Sequence, residues 1–236
     1  ARSGYDVFRF DYRGMGDSGG QYAGFEQCGD DIRAAIDAFF AQCPHLRGIH
    51  LFGLCDGASA ALMYAPTDDR VIGLVLANPW VRSESTQAST YLRHYYLRRL
   101  LDRSFWKKLA GGGVRLGKSL GELAANLQQA RARSAAEPFV ARMLSALQSL
   151  TVPILVLISE ADLTAKEFSD VCENDRNWRD AIGRKNVTVE LLAGADHTFS
   201  ARPTLELAMD VWIRWLRLRA WDHGTRSWQV RANAMR

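Results

Sequence analysis

The sequence has few cysteines and no long apolar run. Its 236 residues include four cysteines, which show neither metal-ligand spacing nor the density of a disulfide framework: Cys28, Cys43, Cys55 and Cys172. No stretch approaches the roughly 20 apolar residues of a membrane-spanning helix. The net charge of +4 is mildly basic, and no nucleic-acid-binding motif accompanies it. These absences exclude a disulfide-stapled domain and predict no metal ion, no transmembrane segment and no nucleic-acid partner.

Strand and helix patterns alternate along most of the chain. Runs rich in aliphatic residues predict strands at 7–10, 48–52, 71–77, 152–158 and 186–192. Amphipathic or alanine-rich segments predict helices at 30–40, 58–64 and 204–218. Strands separated by helices imply the α/β class, with a doubly wound, mostly parallel sheet covered by helices on both faces.

The segment 80–150 interrupts this alternation. It is helical in composition, contains an aromatic stretch and has no strand pattern. We expect a helical cap inserted into an α/β core of residues 1–79 and 151–220, with additional packed helices as the alternative. Residues 221–236 lack periodicity and predict a loose C-terminal tail. Residues 1–5 read as the end of a helix entering a strand, so we expect the protein to begin further upstream.

A nucleophile elbow is the most informative local pattern. Gly53-Leu54-Cys55-Asp56-Gly57 follows an apolar run and precedes a helix-forming segment. In a G-x-C-x-G turn between strand and helix, the central side chain sits on a strained backbone and is presented to an electrophile. Gly53 and Gly57 keep neighbouring chain clear, and the backbone N–H of Asp56 is placed to stabilise an oxyanion. The alternative is a small, inert cysteine buried in the turn.

A thiol nucleophile needs a base, and the base needs an acceptor that orients it. Asp162 and His197 each follow a predicted strand, so both lie where the carboxyl ends of parallel strands bind ligands. The order nucleophile, acid, histidine is one of the known orders for such triads. Glu160 and Asp196 compete with Asp162 as the orienting acid. The spacing therefore predicts a Cys55–His197–acid constellation, with Asp162 preferred.

The segment 10–18 (FDYRGMGDS) adds a family pattern. D-x-R-G-x-G-x-S, G-x-C-x-G, an aspartate loop and G-x-D-H-x-F together resemble the α/β-hydrolase superfamily. Within that superfamily, FDYRGMGDS and GLCDGASAA resemble the exosortase A system-associated hydrolases of bacterial exopolysaccharide gene clusters, type 1. The resemblance spans residues 4 to about 218.

The resemblance implies an α/β-hydrolase fold in which this chain starts near the third or fourth core strand. It implies that the nucleophile, acid and base positions are Cys55, Asp162 and His197. It also implies that the structural turn beside the elbow consists of Asp11, Arg13 and Gly14. The loop that supplies a second oxyanion donor in complete members does not occur before the predicted strand at 7–10.

The function expected from these residues is hydrolysis of an ester or thioester through an acyl-cysteine intermediate. No cofactor is expected, because the triad chemistry needs none. The compartment expected is the reducing cytoplasm, since a catalytic thiol must stay reduced. The partner expected is a small-molecule acyl substrate, with saccharide-linked and lipid-linked forms both open. Acyl transfer to a sugar or amine and a non-catalytic accessory protein on the same fold are the alternatives.

Overall fold

The computed structural model of the chain describes residues 4–81 and 138–222. Most of the predicted cap (82–137) and the predicted tail from 223 onward lie outside the described residues. Four strands form the described sheet: β1 (Ile49–Leu54), β2 (Val71–Ala77), β3 (Ile154–Ser159) and β4 (Val187–Leu192). The helices are α1 (Gly29–Gln42), α2 (Asp56–Tyr64), α3 (Pro138–Ser149), α4 (Leu163–Asn174), α5 (Arg176–Ile182) and α6 (Arg202–Asp222).

The sheet is parallel throughout, in the order β1-β2-β3-β4. Every residue of β3 is buried, and β2 is buried except for the half-buried Ile72, because helices cover both faces. β1 and β4, at the two edges of the described sheet, are less buried, with an exposed Phe52 in β1 and three consecutive exposed residues, 189–191, in β4. The predicted doubly wound α/β sheet is therefore confirmed.

The two faces of the sheet bury separate apolar clusters. Helices α1, α2 and α3 pack on one face, where Leu74, Leu76 and Ile154 are at most 1% exposed. Helix α6 packs on the other face against Val75 and Leu155. Because neighbouring residues of a strand point to opposite faces, one continuous apolar run supplies both clusters.

Helix α3 occupies the last part of the range predicted as a cap. Its side chains Met143 and Leu147 are at most 1% exposed and belong to the same cluster as the sheet and α2. This helix is therefore part of the core packing around the elbow helix. The cap prediction otherwise concerns residues outside the described part of the chain.

The strand predicted at Val7–Phe10 is wrong. The structure assigns no strand there, and Val7 is 72% exposed. The segment lies beside helix α1, where Phe8 stacks on Phe39 with ring centroids 5.3 Å apart. An apolar run becomes a strand only when a neighbouring backbone pairs with it, and this segment packs through side chains instead.

An ion pair between a buried aspartate and a partly exposed arginine fixes the turn that leads into β2. The Asp68 carboxylate accepts hydrogen bonds from the Arg70 backbone N–H (3.0 Å), Nε (2.9 Å) and Nη2 (2.7 Å). It also accepts one from the Tyr64 hydroxyl at 2.7 Å. Asp68 is only 8% exposed. The bonds from Arg70, assisted by Tyr64, hold the pKa of the Asp68 carboxyl well below its ordinary value.

We predict that Asp68→Asn destabilises the fold by about 2 kcal/mol, because Arg70 and Tyr64 lose their charged acceptor. A carboxyl with a lowered folded-state pKa contributes stability above its ordinary pKa of about 4 and loses it as the pH falls further. Urea unfolding should therefore show a difference between wild type and variant that is constant above about pH 5 and narrows as the pH falls below about 4. The exposed neighbour Asp69→Asn is the control. An equal loss in both variants would contradict the prediction.

Candidate active site

The elbow lies at the carboxyl end of β1, where the strand passes directly into helix α2. Cys55 has φ 59° and ψ −123°, a conformation that non-glycine residues rarely adopt. Its backbone N–H donates to the carbonyl of Ala77 at 2.9 Å, so the strained residue is fastened to the end of β2. The side chain is partly exposed. This is the strand–turn–helix geometry that the sequence predicted for Cys55.

The prediction that both elbow glycines leave room for neighbouring chain holds for Gly53 and is wrong for Gly57. A Cβ added at Gly53 would lie 2.3 Å from the Gly57 carbonyl oxygen, so only glycine fits there. A Cβ added at Gly57 would meet nothing within 4 Å. The backbone of helix α2 at Gly57 thus approaches Gly53 closely, and position 53 must lack a side chain to allow this.

His197 and Asp162 are brought together from two loops at the same edge of the sheet. Asp162 follows β3, His197 follows β4, and the His197 Nδ1 to Asp162 Oδ2 distance is 2.8 Å. Asp162 also caps helix α4 by accepting from the backbone N–H groups of Thr164 (3.2 Å) and Ala165 (3.1 Å). A carboxylate that accepts three bonds and is 7% exposed has its orientation fixed.

The carboxylate determines which nitrogen of the ring carries the proton. Because Asp162 can only accept when ionised, Nδ1 of His197 is the donor in the neutral ring. The remaining nitrogen, Nε2, is then left with a free lone pair. The His197 side chain is 36% exposed, so that nitrogen belongs to a ring with access to solvent or substrate. A neutral imidazole oriented in this way can act as a base.

The two competing acids are engaged elsewhere. The Glu160 carboxylate accepts from the Gly194 backbone N–H at 2.8 Å, at a turn where Gly194 has φ 66°. The Asp196 carboxylate accepts from the backbone N–H and the hydroxyl of Ser200. These bonds lower the pKa of Asp196 below its ordinary value. Of the three acids that sequence reasoning weighed, Asp162 is the one that the structure places against His197.

A residue that sequence analysis did not single out joins these loops. Asn78, directly after β2, donates from its amide to Ser159 Oγ and to the His197 carbonyl, each at 2.9 Å. It also accepts from the Ser159 backbone N–H at 2.8 Å. The only sequence signal was an asparagine before a proline at the end of a buried strand, which by itself indicates no more than a turn.

Two further features of the site come from the start of α2. The N–H of Asp56 is the first of the helix, and the first N–H groups of a helix have no acceptor within it. The Asp56 carboxylate accepts from the Gly57 N–H at 2.8 Å. The Asp56 N–H, which directly follows Cys55 in the chain, and the positive end of the helix dipole therefore lie at the elbow, where an anion would be stabilised.

The Asp11, Arg13 and Gly14 segment forms a tight turn. Gly14 has φ 73°, and a Cβ there would lie 2.5 Å from the Tyr22 backbone nitrogen. The Arg13 Nε donates to Asp31 Oδ1 at 2.6 Å, which ties the turn to the first turn of α1. The Asp11 carbonyl accepts from the Ser18 hydroxyl at 2.8 Å. These contacts lie within the segment 11–22 and between it and α1.

Two of the other cysteines are poor nucleophiles. Cys28 is 2% exposed and Cys172 is 9% exposed. Burial, assisted by nearby carboxylates, raises the pKa of Cys28 to about 11 and that of Cys172 to about 12. Both are therefore protonated thiols at neutral pH.

The described residues offer no obvious place for a metal ion. Within 4–81 and 138–222, no group of three or more His, Cys, Asp or Glu side chains is arranged to hold one. None of the helices in the same ranges is long and apolar enough to cross a membrane.

A parallel sheet with a strained residue between strand and helix, and an acid–histidine pair at the same edge, defines the α/β-hydrolase fold class. The chain belongs to the Alpha/beta hydrolase family, whose sequence profile matches residues 1–211. No curated protein matches the chain.

Solved structures show the same fold at low identity. The Pyrococcus furiosus esterase Pf2001 is 17% identical, with a TM-score of 0.55 over 91% of this chain and 70% of that one. The Paleococcus ferrophilus monoacylglycerol lipase is 19% identical, with a TM-score of 0.56 over 91% and 84%. An esterase domain of a Rhodothermus marinus protein is 18% identical, with a TM-score of 0.51 over 91% and 74%. The likeness establishes the fold.

We predict that Gly53→Ala destabilises the protein by about 2–3 kcal/mol, because the new methyl group collides with the Gly57 backbone. Gly57→Ala is the matched control, and there the methyl group meets open space in a helix that favours alanine. Urea unfolding of both variants checks the prediction. If the two variants lost similar free energies of unfolding, the prediction would be contradicted, because the close approach of α2 would then not exclude a side chain at position 53.

Proposed function

We propose that the protein is a hydrolase that cleaves an ester or thioester through an acyl-Cys55 intermediate. The observation that carries the proposal is the 2.8 Å hydrogen bond between His197 Nδ1 and Asp162 Oδ2. It joins the acid and the histidine at the same sheet edge as a cysteine with φ 59°. Family membership and the α/β-hydrolase fold support a hydrolytic role. Along the chain, Cys55, Asp162 and His197 follow one another in the order nucleophile, acid, base.

Acylation begins with transfer of the Cys55 thiol proton to His197 Nε2. The sulfur forms a bond to the carbonyl carbon of the substrate, and the carbonyl electrons move onto the oxygen. The N–H of Asp56 stabilises the resulting oxyanion. When the tetrahedral intermediate collapses, the bond to the leaving group breaks. His197 returns its proton to the departing alkoxide or thiolate, which leaves as an alcohol or thiol.

Deacylation repeats these steps with water. His197 takes a proton from the water molecule, the hydroxide oxygen attacks the acyl carbon, and the carbon–sulfur bond breaks. The carboxylic acid leaves and Cys55 recovers its proton from His197. Asp162 keeps the ring in one tautomer and stabilises the imidazolium that forms in each half-reaction. No part of this cycle consumes a cofactor.

The substrate class proposed is a small acyl ester or thioester. Two of the structurally similar proteins are named an esterase and a monoacylglycerol lipase, which favours an ester as the bond that is cleaved. The resemblance of FDYRGMGDS and GLCDGASAA to exosortase A system-associated hydrolases favours a saccharide- or lipid-linked acyl group, in a reducing cytoplasm. Acyl transfer to a sugar hydroxyl or an amine is the variant in which that acceptor replaces water in deacylation.

We predict that Cys55→Ala lowers kcat/KM for p-nitrophenyl acetate and for an acyl thioester by more than about a hundredfold, because the attacking sulfur is removed. Cys43→Ala, at a partly exposed cysteine outside the site, should keep wild-type turnover. Mass spectrometry of wild type during turnover should show the acyl group on the peptide that contains Cys55.

Equal turnover in Cys55→Ala and wild type would contradict the proposed mechanism. Absence of turnover and of acylation in the wild type, with both substrates, would favour the non-catalytic accessory protein instead. Acyl transfer is separated from hydrolysis by adding a sugar or amine acceptor. An acylated acceptor formed in place of the free carboxylic acid identifies acyl transfer.

A further inference from the structure

Asn78 is a fully buried polar residue that the proposed chemistry does not use directly. It is 0% exposed and has φ 46°, a left-handed conformation that asparagine tolerates better than most residues. Both N–H groups of its amide are donated, one to Ser159 Oγ and one to the His197 carbonyl. Its amide oxygen accepts from the Ser159 N–H. Every donor of this side chain therefore has a partner.

Two consecutive residues at the end of β2 hold the proposed nucleophile and the proposed base. The carbonyl of Ala77 accepts from the Cys55 N–H at 2.9 Å. The amide of Asn78 donates to the His197 carbonyl at 2.9 Å. The Asn78 N–H itself donates to the Leu157 carbonyl at 2.9 Å, which fixes this strand end to β3. The end of β2 thus holds both the elbow at Cys55 and the loop that carries His197.

His197 itself is held at two points, its ring and its carbonyl. Asp162 holds the ring at Nδ1, and Asn78 holds the main chain of the same residue at its carbonyl. With one end of the residue fixed by each contact, the direction of Nε2 is restricted. If the carbonyl were released, the ring could still bind Asp162 while the main chain at His197 shifted relative to Cys55.

We propose that Asn78 is a positioning residue that fixes His197 relative to the Cys55 elbow, an inference that rests on the proposed function. The position needs a residue that accepts φ 46°, donates two hydrogen bonds and accepts one within a buried space. Glycine satisfies only the backbone requirement. Aspartate keeps the acceptor for Ser159 but loses the amide donor to His197.

The chain offers a matched control in Asn186. Its amide also donates to two backbone carbonyls, those of Leu150 (3.2 Å) and Val152 (2.9 Å). It lies just before β4 and therefore at the amino end of the sheet, opposite the site. β4 rises about 3.3 Å per residue, so its six residues separate Asn186 from the His197 loop. Asn186→Ala removes a similar pair of hydrogen bonds from a side-chain amide to backbone carbonyls, away from the His197 loop.

The test compares Asn78→Gly with Asn186→Ala in the whole chain by two readouts. The first is the low-field proton resonance of the His197 Nδ1–H bonded to Asp162, which needs no turnover. We expect it to shift or to exchange faster in Asn78→Gly only. The second is turnover of p-nitrophenyl acetate, where kcat should fall about 10- to 100-fold in Asn78→Gly with little change in KM. If Asn78→Gly does not fold, Asn78→Asp replaces it.

A resonance that is unchanged in Asn78→Gly, or changed equally in both variants, would overturn the inference. So would a kcat for Asn78→Gly within about twofold of the Asn186→Ala value, because misplacement of a base costs more. If the wild type turns over neither ester nor thioester, the proposed function has failed. The proton resonance then still decides whether Asn78 positions His197.

Discussion

The parallel pairing of β1, β2 and β3 is the constraint on which the site depends. It brings the end of each strand to one edge, so that Cys55, Asn78 and Asp162 follow three neighbouring strands. The buried runs of β2 and β3 maintain that alignment, because slipping the register would expose aliphatic side chains on both faces. The strained backbone of Cys55 is tolerated because Ala77 holds its N–H and Gly53 leaves room for α2.

Much of the fold could be read from the sequence because it rests on local patterns. The strand predicted at 71–77 has those bounds in the structure, since an aliphatic run of seven residues bounded by turn residues is too short for an ordinary core helix and favours a strand. The strand predicted at 152–158 begins later, at Ile154, because Pro153 has no N–H to donate to the ladder. The failure at Val7–Phe10 shows the limit of such patterns: pairing depends on a neighbour that the run itself does not specify.

The site was harder to predict from the sequence because the contacts that form it join residues far apart in the chain. Sequence order indicated Cys55, Asp162 and His197, but it only favoured Asp162 over the two competing acids and did not exclude them. The choice follows from where the loops after β3 and β4 meet, which leaves Glu160 on the Gly194 N–H. Asn78 lies 119 positions before His197, so no local pattern connects them. Its positive φ is likewise invisible in a sequence.

Alkylation of individual cysteines by iodoacetamide at about pH 6.5 tests the central claim, that His197 draws the proton of Cys55. Cys28 and Cys172 serve as internal controls, because their raised pKa values keep them protonated. The account predicts that Cys55 is labelled much faster than the other three cysteines in wild type and loses this advantage in His197→Ala. Labelling of Cys55 at the same rate in both proteins would contradict the proposed pair of nucleophile and base.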